Sequence, residues 1–147
     1  MRALVQRVSW ARVAVSGTIT GEIGPGLCVF LGVKADDSSI DARKLAGKVT
    51  NLRIFPDPDG KMNLSLPDTG GGLLIVSQFT LYGDTTKGNR PSYAQAAKPE
   101  RARELYDEFI RGCRKLCSRV ETGVFQAHME VELLNDGPVT LMCYAGE

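Results

Sequence analysis

Leu73-Leu74-Ile75-Val76-Ser77-Gln78-Phe79-Thr80-Leu81 opens on four aliphatic residues and closes on small polar ones. Four such side chains in a row, bounded by Gly70-Gly71-Gly72 before and polar residues after, predict a buried strand. The three glycines read as a flexible hinge. Residues 77–81 are expected to extend the strand and open into a polar loop through Ser92. Alternation along a strand would put Gln78 and Thr80 on one face and Ser77 and Phe79 on the other.

Working outward, residues 26–33 read as a second buried strand. Residues 3–8 and 11–15 alternate as strands do. Ser16-Gly17 and Gly24-Pro25-Gly26 mark turns around a short strand near Ile19. Residues 51–55 and 64–66 are short strand-like pieces around the turn Pro56-Asp57-Pro58-Asp59-Gly60. Residues 129–134 and 139–144 form the last two strands, joined through Asn135-Asp136-Gly137-Pro138. Two helices interrupt this pattern. The first starts at Ser38, with Asp41 completing an approximate capping box, and Ala42, Leu45, Ala46 and Val49 form its buried face. The second starts at Pro99, which has no amide hydrogen to leave unpaired. Ala102, Leu105, Tyr106, Phe109, Ile110, Cys113, Leu116 and Cys117 make its apolar stripe, and the charges opposite read as a solvated face. With strands clustered at both ends, the chain is expected to be a single α+β domain over residues 1–147. Its core would be a curved or barrel-like, mostly antiparallel sheet with two main helices packed against it.

Composition narrows the function. At 147 residues, 43% hydrophobic and 24% charged, the chain is large enough to fold without disulfides or metal. Eighteen Lys plus Arg against 17 Asp plus Glu leave a net charge of +1, which argues against a broad nucleic-acid-coating surface but leaves room for a small basic patch. No apolar run approaches the roughly 20 residues of a membrane span, and the N-terminus lacks a signal-peptide apolar region. A cytoplasmic location is expected. Cys28, Cys113, Cys117 and Cys143 read as buried thiols. Cys113 and Cys117 would supply half a metal site, but no second half accompanies them.

The common catalytic kits are missing. His128 is the only histidine and has no carboxylate partner nearby in sequence, so it reads as structural. There is no His-Glu-x-x-His, no Cys-x-x-Cys and no clustered carboxylate set, so neither metal nor cofactor is expected. Hydroxyl, amide and backbone chemistry remain. At a strand end, the amides of Phe79 and Thr80 are candidates for an oxyanion hole. From these residues alone, the blander reading is that Thr80 ends the strand and Gln78 bonds a neighbouring loop. Gly137-Pro138 likewise reads either as a hairpin turn or as a rigid projection carrying two outward carbonyls.

Ser77-Gln78-Phe79-Thr80-Leu81 together with Asn135-x-Gly137-Pro138-Val139-Thr140 resembles the paired signatures of the D-aminoacyl-tRNA deacylases. The likeness continues through Gln6-Arg7-Val8, Arg53-Ile54-Phe55, Gly60-Lys61-Met62-Asn63, Arg90-Pro91-Ser92, Thr122-Gly123, Phe125, Ala127 and Met129. Gln126 is bulkier than the resemblance leads one to expect. The resemblance implies an editing hydrolase that cleaves the ester of D-aminoacyl-tRNA, and of glycyl-tRNA mischarged on tRNA(Ala), with the ribose 2′-hydroxyl helping to activate water. It assigns the acyl oxygen to the amides of Phe79 and Thr80, with Gln78 shaping the site. Thr80 is a positioning group there, since a hydroxyl without a base is a weak nucleophile. The resemblance further implies a homodimer in which Gly137 and Pro138 of one subunit enter the other's site and exclude L-side chains. Ser77 and Arg7 would support that selection. Phe125 and Met129 would hold the tRNA 3′ end, with Lys87 and Arg90 as phosphate contacts. Two other readings compete: a small-molecule esterase using Thr80 or Ser77, and a non-catalytic module that binds RNA ends.

Overall fold

The computed structural model describes residues 1–147. A long strand, β1 (Arg2–Val15), organises the sheet. Its first half pairs antiparallel with β3 (Gly26–Gly32), its second half with β2 (Thr18–Ile23), and its other edge with β8 (Glu130–Tyr144). The expected break between residues 8 and 11 is instead where one strand exchanges partners. Val8 pairs with Gly26 on β3 and Ala11 with Ile23 on β2, while Ser9 and Trp10 between them are exposed.

The strand β6 (Gly72–Ser77) lies parallel to β3, and β7 (Val120–Thr122) lies parallel to β6. The order β2-β1-β3-β6-β7, with β8 on β1, gives a curled mixed sheet that is nearly a closed barrel. Parallel strands need a crossover between them. Here the crossover carries α1 (Ser39–Thr50), the two-stranded ribbon β4 (Phe55–Pro56) and β5 (Met62–Leu64), and the one-turn α2 (Leu66–Thr69). The second long helix, α3 (Pro99–Arg114), joins β6 to β7 and packs on α1.

The parallel strands β3 and β6 are covered on both faces, which explains their uninterrupted apolar sequences. Leu27, Val29, Leu31, Leu73 and Ile75 belong to the main core with Leu45, Val49, Leu105 and Phe109 from the helices. Cys28, Leu74 and Val76 face the other way, into a smaller core with Val8, Ala11, Val13 and Ile23. Gly26 and Gly72 let β3 and β6 begin side by side. A Cβ on Gly26 would sit 1.8 Å from the Gly72 carbonyl oxygen. The triplet at residues 70–72 is therefore a capping and packing element rather than a hinge. Gly70 caps α2 in the left-handed region (φ +69°), and Gly72 is a buried strand residue.

The capping box forms as expected. Asp41 accepts from the Ser38 amide (2.8 Å) and hydroxyl (2.7 Å), bonds that hold its carboxyl below the usual range. Pro99 occupies the first turn of α3. The helix ends at Arg114, so Leu116, expected in the buried stripe, is exposed while Cys117 is buried. Residues 64–66 leave the ribbon and enter α2 instead of forming a strand. All four cysteines are free and buried.

Candidate active site

The chain does not continue straight after Ser77. Gln78 donates its amide to Leu31 O (2.8 Å), and residues Phe79–Tyr82 then wind into a single 3-10 turn. Strand alternation therefore ends at Ser77. Gln78 reaches across the turn instead, its side-chain amide donating to the Thr80 hydroxyl. The first amides of a helical turn have no partner within it. The loop hydrogen bonds around this turn use the amides of Gln78, Leu81 and Gly83, and none uses Phe79 or Thr80. Phe79 and Thr80 are both exposed.

The turn is fixed from behind. Arg2 donates to Leu81 O (3.0 Å) and stacks 4.5 Å over the Tyr82 ring, and the Tyr82 hydroxyl donates to the Glu147 carboxylate (2.6 Å). Desolvation opposes ionisation of Glu147, but the bonds from Tyr82 and Arg2 prevail and hold its carboxyl below its ordinary value. Burial and the Glu147 contact push the Tyr82 phenol upward.

In front of the turn lies a cleft of about 610 Å³. Val76, Ser77, Gln78 and Phe79 form one wall, and residues 125–129 with Val131 form the opposite one. The start of α3 and the preceding loop close the rim. That loop folds back because Asp84 and Ser92 exchange backbone bonds (2.8 and 2.9 Å) and Ala97 donates to Val33 O (2.9 Å). It sets Tyr93 edge-on to Phe79, with ring centroids 5.1 Å apart. No Asp, Glu, Lys, Arg or Cys lines the cleft. Phe125 is half-buried, 5.8 Å from the Tyr106 ring and beneath the Arg103 guanidinium, also at 5.8 Å. Tyr106 donates to Ile75 O (2.9 Å), tying α3 to the strand that leads into the turn.

Arg7, Gly137 and Pro138 do not line this cleft. They form a separate feature on β1 and β8. No hairpin occurs at residues 135–138: β8 runs unbroken past them. Val8 pairs with Asn135 and Gln6 with Thr140, so residues 136–139 bulge out opposite Arg7 alone. Turn-forming residues serve here as a bulge because both flanks keep pairing with β1. Gly137-Pro138 is cis, and both residues are exposed. Gly137 has φ +124°, and a Cβ there would meet Arg7 Nη2 and Val139 Cγ2, each at 3.0 Å. Arg7 is largely buried. It donates to Ile54 O (2.6 Å) and Asp136 O (3.2 Å), with the Asp136 carboxylate at 3.4 Å. The Asn135 carboxamide closes the bulge base, with its NH2 oriented to donate to Arg7 O (3.0 Å) and Val139 O (3.1 Å).

The chain thus gathers Ser77, Gln78, Phe79, Phe125 and Met129 around a cleft, places Thr80 next to it in the turn, and holds Arg7, Gly137 and Pro138 apart. Lys87 and Arg90 are exposed on the loop and outside the cleft. Tyr93 and His128 line the cleft without having been singled out as site residues. Tyr93 adjoins Arg90-Pro91-Ser92 in sequence, the one signal that marked this loop. His128 is exposed and makes no side-chain hydrogen bond.

The family described as D-Tyr-tRNA(Tyr) deacylase matches residues 4–144. A D-aminoacyl-tRNA deacylase of Syntrophobacter fumaroxidans is 59% identical over 142 residues, covering 97% of this chain and 95% of that protein. One from Deinococcus radiodurans is 57% identical over 141 residues, covering 96% and 97%. Among solved structures, a c-Myc DNA unwinding element binding protein superposes with a TM-score of 0.95 at 38% identity, over the whole of both chains. A probable eukaryotic D-amino acid tRNA deacylase gives 0.82 at 21% identity over 97% of each, a likeness of fold.

Proposed function

The chain belongs to the D-Tyr-tRNA(Tyr) deacylase family, so it is a hydrolase of the ester in D-aminoacyl-tRNA, and we propose that it works by oxyanion binding and steric exclusion. The observation that carries this reading is the 3-10 turn, which offers the free amides of Phe79 and Thr80 beside a cleft lacking any carboxylate, lysine, arginine or thiol. An aminoacyl ester is already reactive, so orientation and charge stabilisation suffice for most of the rate. In this scheme the terminal adenosine enters the cleft against Phe125 and Met129, and the ester carbonyl oxygen meets the two amides. Water, assisted by the ribose 2′-hydroxyl, adds to the carbonyl carbon. The bond to the 3′-oxygen breaks, that oxygen takes up a proton, and free amino acid and tRNA leave. Gln78 fixes the Thr80 hydroxyl, making Thr80 a positioning group rather than a nucleophile, and Ser77 shapes the wall beneath.

Selection of the D-configuration needs a group facing Cα. Within one subunit the Gly137-Pro138 bulge lies outside the cleft, so the scheme places it in the site of a second copy. Its carbonyls would face the substrate ammonium, and an L-side chain would collide with it while a D-side chain points outward. Arg7 braces the bulge. Glycine has no side chain to exclude. The test is therefore glycyl-tRNA(Ala): we expect hydrolysis at a rate comparable with D-aminoacyl-tRNA. Complete resistance of the glycyl ester would overturn selection by exclusion.

A further inference from the structure

A second cleft, of about 400 Å³, adjoins the first. Phe125 lines both. Three arginines of α3 line the second cleft: Arg103, Arg111 and Arg114. Asp107 is its only acidic residue. Positions 103, 107, 111 and 114 follow helical spacing, so these side chains run as one stripe along α3. From Arg103 to Arg114 the helix rises about 16 Å. The acidic residues of α3 do not neutralise it evenly. Glu104 pairs with Arg101, and Glu108 pairs with Arg43 and Arg111. Arg103 and Arg114 make no ion pair, and Arg103 instead lies over the Phe125 ring at 5.8 Å.

From this placement we infer that the arginine-lined cleft along α3 binds phosphates of the RNA strand leading to the 3′ end. The inference rests on the reading that the larger cleft holds the terminal adenosine. A strand leaving that cleft past Phe125 meets Arg103 first, then Arg111 and Arg114. Guanidinium groups match phosphate geometry. A stripe of about 16 Å runs alongside four or five stacked nucleotides at about 3.4 Å each, so its three arginines can meet two or three phosphates of one strand. A chain of net charge +1 can hold RNA this way because the contact is local.

The experiment compares D-tyrosyl-tRNA with 3′-O-D-tyrosyl-adenosine, which has the same ester and no phosphate. The variants are Arg114→Gln, which leaves Phe125 untouched, and the double variant Arg103→Gln/Arg114→Gln. KM for D-tyrosyl-tRNA is expected to rise about tenfold in the double variant, with kcat unchanged, and the slope of log affinity against log salt to fall by about 0.7 per lost phosphate contact. Hydrolysis of the adenosine ester should not change. An unchanged salt slope in both variants would overturn the inference, as would equal losses on the two substrates, because the arginines would then act through Phe125. If the wild-type protein cleaves neither D-ester, the reading of the larger cleft has failed instead.

Discussion

Arg7→Ala separates a bracing role from a merely structural one. Arg7 spends one guanidinium on three acceptors: Ile54 O at 2.6 Å, Asp136 O at 3.2 Å and the Asp136 carboxylate at 3.4 Å. Its side chain is 12% exposed, so little solvent screens these contacts. Truncation leaves the carbonyl of buried Ile54 without this donor, at about 1–3 kcal/mol. The Asp136 contacts are half in solvent and add less. A total near 2 kcal/mol lowers the melting temperature by about 4–8 °C for a chain this size. The same loss frees residues 136–139 from β1. If 1.4 kcal/mol of it appears as bulge disorder in the transition state, the preference for D- over L-tyrosyl-tRNA falls about tenfold. Arg7→Lys should recover part of the stability and little of the selectivity, since an ammonium cannot reach acceptors on both sides as a planar fork does. The assay is single-turnover deacylation of both esters alongside thermal melting. A destabilised Arg7→Ala protein with wild-type chiral preference would refute the bracing role.

Other outcomes follow from backbone packing and burial. Gly26→Ala places a Cβ 1.8 Å from the Gly72 carbonyl oxygen, a backbone clash at the root of two parallel strands. It should cost more than about 4 kcal/mol and show as loss of soluble protein or a collapsed urea midpoint. Gly47→Ala is the opposite case. Gly47 lies inside α1 with nothing within 4 Å of the added methyl, so urea denaturation should show a gain of about 0.5–1 kcal/mol. Burial pushes the Cys28 thiol up to about 12 and shifts Cys113, Cys117 and Cys143 upward too. A raised thiol pKa favours the protonated form, so at pH 8 only about one Cys28 in 10⁴ is thiolate. The native protein should resist Ellman's reagent until denatured, and deacylation should survive thiol alkylation. Rapid labelling of the folded chain would contradict this picture of the core.

How much the sequence reveals depends on how local the determining contacts are. The capping box at Ser38 and Asp41, the buried face Ala42, Leu45, Ala46 and Val49, and Pro99 opening α3 all lie within a few residues of one another. Each forms as read. The parallel core strands are legible because burial on both faces leaves an unbroken apolar run. Gly137-Pro138 is not legible in the same way. A hairpin and a bulge use the same residues, and only pairing of both flanks with β1, about 130 residues away in sequence, decides between them. The 3-10 turn after Ser77 is similarly set from afar, by Leu31, Arg2 and Glu147. Tyr93 reaches the cleft through bridges that fold its loop back. The site residues named from the signatures lie on two separate surfaces of one chain, and no local feature of the sequence reveals that separation.

If selection works by exclusion, this scaffold removes D- but not L-amino acids from tRNA without fitting any side chain. The most direct test mixes the purified protein with D-tyrosyl-tRNA and, separately, L-tyrosyl-tRNA, and follows loss of the ester. Rapid loss of the D-ester with the L-ester intact is the expected result. Comparable loss of both would keep the hydrolase chemistry and contradict the exclusion mechanism.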